Sequence, residues 1–354
     1  MIGILKSLLP LAWRNRLKKH LKGRKALSSL RFAYLQDMER FAVWASPTRD
    51  FARIENRLAY VTMLYHSLEK GLSLPRPKPG FGSAKAVDLV EHLEFLIEMG
   101  QAGDIRVSAA CRVLKAWSNW NIQNGNSGFN LETRINRLGD AITTSVQTLQ
   151  NSRTGGVTTV KKAELENRAR GDFEDLANSR HSIRCFSTDP VDLRLIRRAV
   201  RLAQTSPSLC NRQSCHVHVF ENDVIGRKIL ELQGGNAGFG DSVNKILIVT
   251  SELGCFLSVG ERNQCWIEGG MFSMTLVHAL HWLGLGSCCL NWAKESAEDM
   301  TLHALVPIPD DESVVMVIVV GNLPAELQVT HSPRRNLDDV LHFSAQHISD
   351  NDTI

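Results

Sequence analysis

"SRHSIRCF" (179–186) sets two arginines, a histidine and two serines within eight positions, just where a helix-forming run gives way to turn chemistry. Fixed positive charge, forked donors and hydroxyls are the equipment for holding a phosphate or a carboxylate. An exposed basic turn has the same composition, so the neighbouring sequence has to decide.

Around that stretch the chain alternates. A helical run, "ELENRARGDFEDLANS" (164–179), precedes it and a second, "DLRLIRRAVRLAQ" (192–204), follows. Strand-like runs come next at "HVHVF" (216–220), "KILIVTS" (245–251) and "SVVMVIVV" (313–320), with the long helix "QCWIEGGMFSMTLVHALHWLG" (264–284) between the last two. This texture predicts an α/β or α+β domain. Two more polar constellations fall between its elements, where a rigid scaffold concentrates binding residues. "SPSLCNRQ" (206–213) gathers hydrogen-bonding side chains around Pro207, and reads equally as an Asx-rich turn. "GLGSCCLNW" (284–292) has glycines that let a ligand approach the backbone; its other reading is a helix C-cap at Gly284 followed by a buried strand.

Up to about residue 150 the periodicity is helical throughout: 30–44, 53–70, 84–99, 105–120 and 131–149. "GLSLPRPKPGFGS" (71–83) is expected to be a stiff, exposed loop, because alternating Pro and Gly forbid regular structure. Just before it, "YHSLEKG" (65–71) carries His66, Glu69 and Lys70 at helical spacing, and is read as a solvated helix end with an ion pair rather than as an active site. "NSRTGGVTTVKK" (151–162) reads as a linker broken by Gly155 and Gly156. The expected organisation is a helical domain over 1–150, a linker over 151–162 and a second domain over 163–354.

Composition narrows the function classes. In 354 residues that are 43% hydrophobic there is material for a core in each of two domains. Apolar runs are strand-sized, so no transmembrane helix is expected. The eight cysteines show no CxxC pair and no zinc-ligand spacing; no metal site is predicted, and reduced thiols in a cytoplasmic protein are the simpler reading. The formal charge of +4 hides nine basic residues, Lys6 to Arg31, that all precede the first acid, Asp37. Leu5, Leu9, Trp13, Leu17 and Leu21 recur every fourth residue there, interrupted at Pro10. This segment suits either packing against the rest of the chain, the preferred reading, or contact with an anionic membrane surface at the inner face. It lacks the pattern of a secretory signal. No stacking motif accompanies the charge, so nucleic acid is not expected as a partner.

In this order the three constellations resemble the FMN-dependent nitroreductase family: Arg180, Ser182 and Arg184 as an "RxSxR" turn, Ser206, Pro207, Ser208, Asn211 and Gln213 as "SPSxxNxQ", and Gly284 to Gly286 as a "GLG" helix end. "SPRRNLDDV" (332–340) is similar to the family's basic C-terminal ending. The resemblance covers roughly residues 165 to 345. It implies an α+β nitroreductase-like fold, a mixed central sheet flanked by helices, and FMN as cofactor. Arg180, His181, Ser182, Arg184 and Arg334 would hold the flavin's phosphate. Pro207, Ser208, Leu209 and Asn211 would reach the flavin of the partner subunit in a homodimer, and Cys289, Leu290, Asn291 and Trp292 would lie at the ring's edge. The implied activity is hydride transfer from NAD(P)H through flavin N5 to an organic acceptor, a nitroaromatic or quinone in assays, with ping-pong kinetics and no catalytic side chain assigned. Two other functions remain open: a specialised flavin dehydrogenase or reductase in a polysaccharide or secondary-metabolite pathway, and a non-catalytic flavin-binding scaffold. Ser214 and Cys215 stand where many relatives have Pro-Trp, and Ser332 where a basic residue is common, which implies one cation fewer at the phosphate. Every residue nominated lies beyond Lys162, so 163–354 is expected to bind the cofactor by itself.

Overall fold

Periodicity changes from helical to mixed at residue 155, and the packing changes with it. The computed structural model describes residues 11–45, 51, 53–126, 131–143 and 155–343. Of the basic segment, residues 1–10, with Leu5, Lys6 and Leu9, lie outside the described residues. Helix α1 (Leu11–Trp44) starts directly after Pro10 and is tied to the C-terminal half where Arg262 donates to both oxygens of Asp37, at 2.9 and 3.0 Å. Among the described residues no helix is long and apolar enough to cross a membrane.

Helices α2 (Ile54–Leu72), α3 (Ser83–Glu98), α4 (Ile105–Gln123) and α5 (Glu132–Thr143) share one core. Leu58, Val61, Leu64, Tyr65, Leu68 and Leu72 form the buried face of α2, at the three- and four-residue spacing that stacks side chains on a helix. They meet Leu89, Leu93 and Leu96 of α3 and Leu114 and Trp117 of α4. The Pro/Gly loop is irregular, as expected, but only its middle is exposed: Trp117 Nε1 donates to the Phe81 carbonyl at 2.7 Å, and the Gly80 N–H donates to Asn121 Oδ1 at 2.7 Å. A Cβ at Gly71 would lie 2.1 Å from the Phe81 ring, so the glycine that ends "YHSLEKG" is what lets this loop fold back on α2.

The stretch read as a linker carries a strand over its second half. Strand β1 (Val157–Lys161) pairs antiparallel with β6 (Glu326–Thr330), and Gly155 and Gly156, both at φ +91°, turn the chain into it. Residues 151–154 lie outside the described residues. The expected single helix over 164–179 is two, α6 (Lys162–Ala169) and α7 (Phe173–Ser179), because Gly171 interrupts it and Asp172 caps the second through the Asp175 N–H at 2.9 Å. Helix α8 (Leu193–Ala203) follows, capped by Asp192.

The main sheet has the order β2-β3-β5-β4, from β2 (Cys215–Glu221), β3 (Lys245–Glu252), β4 (Leu285–Asn291) and β5 (Glu312–Asn322), and its pairings are antiparallel. Its two central strands are apolar along their middles because both faces are covered. Ile246, Ile248, Val317 and Val319 pack with Ile229 and Leu230 of α9 (Val224–Gln233) and Leu302 of α11 (Ser296–Leu305). Their neighbours Leu247, Val249, Ile318 and Val320 face Phe272, Leu276 and Leu280 of α10 (Gln264–Trp282). The result is an α+β C-terminal half beside a mostly helical N-terminal half.

Candidate functional site

Helix α7 ends at Ser179, and the chain leaves it in extended conformation along the free edge of β4. The Ile183 N–H donates to Ser287 O at 2.9 Å and the Ser187 N–H to Asn322 O at 2.8 Å. Ile183 and Phe186 turn inward onto Gly286 and Gly321, where added Cβ atoms would come within 3.0 and 2.6 Å of them. The second glycine of "GLG" is thus needed for packing the phosphate-type turn onto the sheet. Gly284, at φ +83°, is the helix terminator, and "LGSCCLN" is a strand, the second of the two readings of that stretch.

Arg180, His181 and Ser182 line one cleft of ≈ 290 Å³ with Ser332, Pro333 and Arg334, joined by Thr62, Tyr65 and His66 of α2. The structure therefore brings four of the five nominated phosphate residues together. The fifth, Arg184, is buried, and its Nη1 has no hydrogen-bond partner among the described residues. Lys70, half-buried, donates from Nζ to the Gly235 carbonyl, and its ammonium lies 5.5 Å from the centre of the Phe239 ring. Burial first, and then the Arg184 charge, holds the Lys70 pKa below its usual value. Beneath them burial pushes the Cys288 thiol up, against the opposing pull of Arg184 and Lys70.

The walls of the cleft are fastened by Glu69, which is fully buried. Its carboxylate accepts from the Gly156 N–H at 2.9 Å and from Ser332 Oγ, with His66 Nδ1 3.5 Å away. Burial and the Glu69 charge push the Tyr65 phenol up to about 12. Sequence reading placed none of these α2 residues in a site; Thr62, Tyr65 and His66 nevertheless line the cleft beside residues of the 163–354 segment.

The second constellation lines a separate cleft of ≈ 70 Å³. Glu268, alone among apolar residues on α10 and buried, accepts from the Leu209 N–H at 2.7 Å, Ser208 Oγ at 3.1 Å and Ser214 Oγ at 3.0 Å. These bonds hold a loop in which Cys210, Asn211 and Gln213 all have positive φ, between 51° and 56°. Glu268 was also missed; a lone carboxylate in the apolar run "CWIEGGMF" was its signal. Within one chain, Pro207 to Asn211 and Arg180 to Arg184 do not share a cleft.

At the third, Cys289 and Asn291 are exposed while Leu290 is buried, as strand alternation requires. The Asn291 carbonyl accepts from Gln233 Nε2 at 2.8 Å, and Trp292 Nε1 donates to Asp299 Oδ1 at 2.7 Å, fixing the strand's end. Among the described residues no His, Cys, Asp and Glu cluster could hold a metal ion.

Comparison with known proteins agrees on the region. Residues 177–252 match the model of the Nitroreductase family. Among solved structures, a Staphylococcus epidermidis protein described as an NAD(P)H:FMN oxidoreductase is 18% identical, with 49% of this chain and 96% of that one covered and a TM-score of 0.43. A Desulfovibrio desulfuricans protein described as a nitroreductase in complex with FMN is 22% identical, covering 49% and 97%, with a TM-score of 0.40. B. megaterium NfrA2 is 19% identical, covering 50% and 74%, with a TM-score of 0.41. No curated protein matches the sequence. The family-model match spans the stretch that holds Arg180 to Arg184 and Pro207 to Asn211.

Proposed function

We propose that the protein is an FMN-dependent oxidoreductase that works as a homodimer. The observation that carries this reading is the cationic cleft itself: Arg180, His181, Ser182 and Arg334 converge on one space while buried Arg184 keeps a guanidinium nitrogen unpaired. A buried donor without a partner costs about 1–3 kcal/mol, a cost that an anionic ligand removes. The donor set fits a ribityl phosphate, since forked guanidinium groups match its oxygens and the Ser182 hydroxyl adds a further donor.

When bound, FMN supplies hydride transfer at N5 between NAD(P)H and an organic acceptor, the two half-reactions alternating at one site. This chain's residues bind and orient it. Arg180, His181, Ser182, Arg184 and Arg334 hold the phosphate end. Cys289 to Trp292, braced by Gln233 and Asp299, form a fixed edge for the ring. Pro207, Ser208, Leu209 and Asn211, shaped by Glu268, complete the partner subunit's site.

The test is a spectrum followed by an assay. Purified protein should show flavin bands near about 370 and 450 nm, as this cofactor class does, and should consume NAD(P)H with menadione or a nitroaromatic. Protein that is colourless and takes up no added FMN overturns the cofactor reading. A flavin-loaded protein inert toward every acceptor leaves it a flavin-binding scaffold.

A further inference from the structure

Thr62, His66 and Lys70 stand at i, i+4 and i+8 on α2, which stacks them along one face over about 12 Å of helix. The first two line the cationic cleft, and the third lies one turn beyond them. Thr62 and His66 line it beside Arg180, Ser182 and Arg334. Lys70 lies close enough to Arg184 for the two charges to oppose one another.

Thr62 Oγ1 donates within the helix to the Leu58 carbonyl at 2.8 Å, but nothing in the helical core asks for His66 or Lys70. The core of α2 is made by Leu58, Leu64, Leu68 and their neighbours on another face, while Lys70 has been drawn into a half-buried position at a cost in desolvation. Among the described residues no carboxylate pairs with Lys70 or with Arg184. Glu69, the obvious candidate, is committed to the Gly156 N–H and to Ser332 Oγ. Neither cation has a counter-charge among the described residues, and Arg184 carries an unpartnered buried nitrogen. A fold keeps such an arrangement when the missing charge arrives with a ligand.

Resting on the flavin reading above, we propose that helix α2 of the N-terminal half is a wall of the cofactor site. Thr62 and His66 bind the cofactor's phosphate alongside Arg180, Ser182 and Arg334, and Lys70 acts with Arg184 as a second cation that selects an anionic ligand over a neutral one. The helical half is then part of the binding site, and Glu69 is the positioning residue that fixes α2 against the segment carrying Arg334.

The test uses full-length protein stripped of flavin and titrated with FMN and with riboflavin, which lacks the phosphate. Wild type, the double variant Thr62→Val/His66→Ala, Lys70→Gln and, as a reference, Arg180→Ala are compared, each checked for an unchanged far-UV spectrum. The double variant and Lys70→Gln should each lose about tenfold or more in FMN affinity, the size of one charge-assisted contact, while riboflavin binding changes less than about twofold. His66→Arg should bind FMN at least as tightly as wild type, which a purely structural role for His66 would not produce. If Arg180→Ala loses FMN while the α2 variants bind it like wild type, the inference is overturned and the flavin reading stands. Equal losses for FMN and riboflavin also overturn it, since they assign α2 a structural role. Wild type that binds neither flavin sinks the flavin reading and this one with it.

Discussion

Glu69 Oε1 accepts a hydrogen bond from the Gly156 N–H at 2.9 Å, joining the end of a helix in the N-terminal half to the first strand of the C-terminal half. The same carboxylate takes Ser332 Oγ, so one fully buried acid serves both segments that frame the cleft. Glu69→Ala leaves a buried N–H and a hydroxyl without their acceptor, and the expected cost is about 2–4 kcal/mol. Chemical denaturation should show that loss, while Glu55→Ala on the exposed start of the same helix should stay within about 0.5 kcal/mol of wild type. Equal effects would show that Glu69 is not the tie.

Glu268 does comparable work under the loop 206–214. It accepts three hydrogen bonds there, from Ser208, Leu209 and Ser214, and the loop holds three non-glycine residues in the left-handed region. Without the carboxylate the loop loses three of the bonds that offset the strain of those residues, about 1–2 kcal/mol each. Glu268→Ala should therefore free the loop before the fold as a whole. Limited proteolysis should cut between residues 206 and 214 at protease levels that leave wild type intact. Cleavage confined to other sites would argue against this account.

What was legible in the sequence follows from the range of the interactions involved. Arg180 to Arg184 could be read because their chemistry is concentrated in a short stretch, and the central strands because their apolar runs announce burial on both faces. His66 and Lys70 could not be read as site residues, since polar groups at a helix end look the same whether they face water or a cleft. Their environment is set far away in the chain: Ser332 and Arg334 line the cleft with His66, and the Gly235 carbonyl takes Lys70. Strand β1 was hidden for the same reason: its partner lies at 326–330. The β-branched run Val157 to Val160 was nevertheless a signal that a linker reading passes over.

His281 gives the fold a pH dependence of definite sign. Burial, reinforced by the Arg180 charge, lowers its pKa to about 4, and Nε2 lies 2.9 Å from Ser179 Oγ. In the unfolded chain the ordinary value is about 6.5. Between those values the unfolded state takes up a proton that the native state refuses, so stability is unaffected above about pH 6.5 and is lost as pH falls toward 4. The loss should approach about 3 kcal/mol, because each tenfold difference in proton affinity between the two states is worth roughly 1.4 kcal/mol. Denaturant midpoints at pH 7.5 and 4.5 should differ more for wild type than for His281→Gln. Identical differences in the two proteins would show that His281 does not set the slope.

The homodimer reading makes a prediction that no single chain can satisfy. Arg184 stands two residues beyond Ser182 of the cationic cleft, and Asn211 in a loop that lines a different cleft of the same chain, so joint action on one cofactor calls for two subunits. Arg184→Ala should remove a charge-assisted contact and Asn211→Ala a contact across the interface, each weakening FMN retention. Mixing the two variants and allowing subunits to exchange produces heterodimers in which one site carries both substitutions and the other carries neither. Flavin binding should then recover to up to one site per heterodimer, which titration against tagged and purified heterodimer can count. Heterodimers that form without any recovery would mean that Arg184 and Asn211 serve the same subunit's pocket, and the shared site would be wrong.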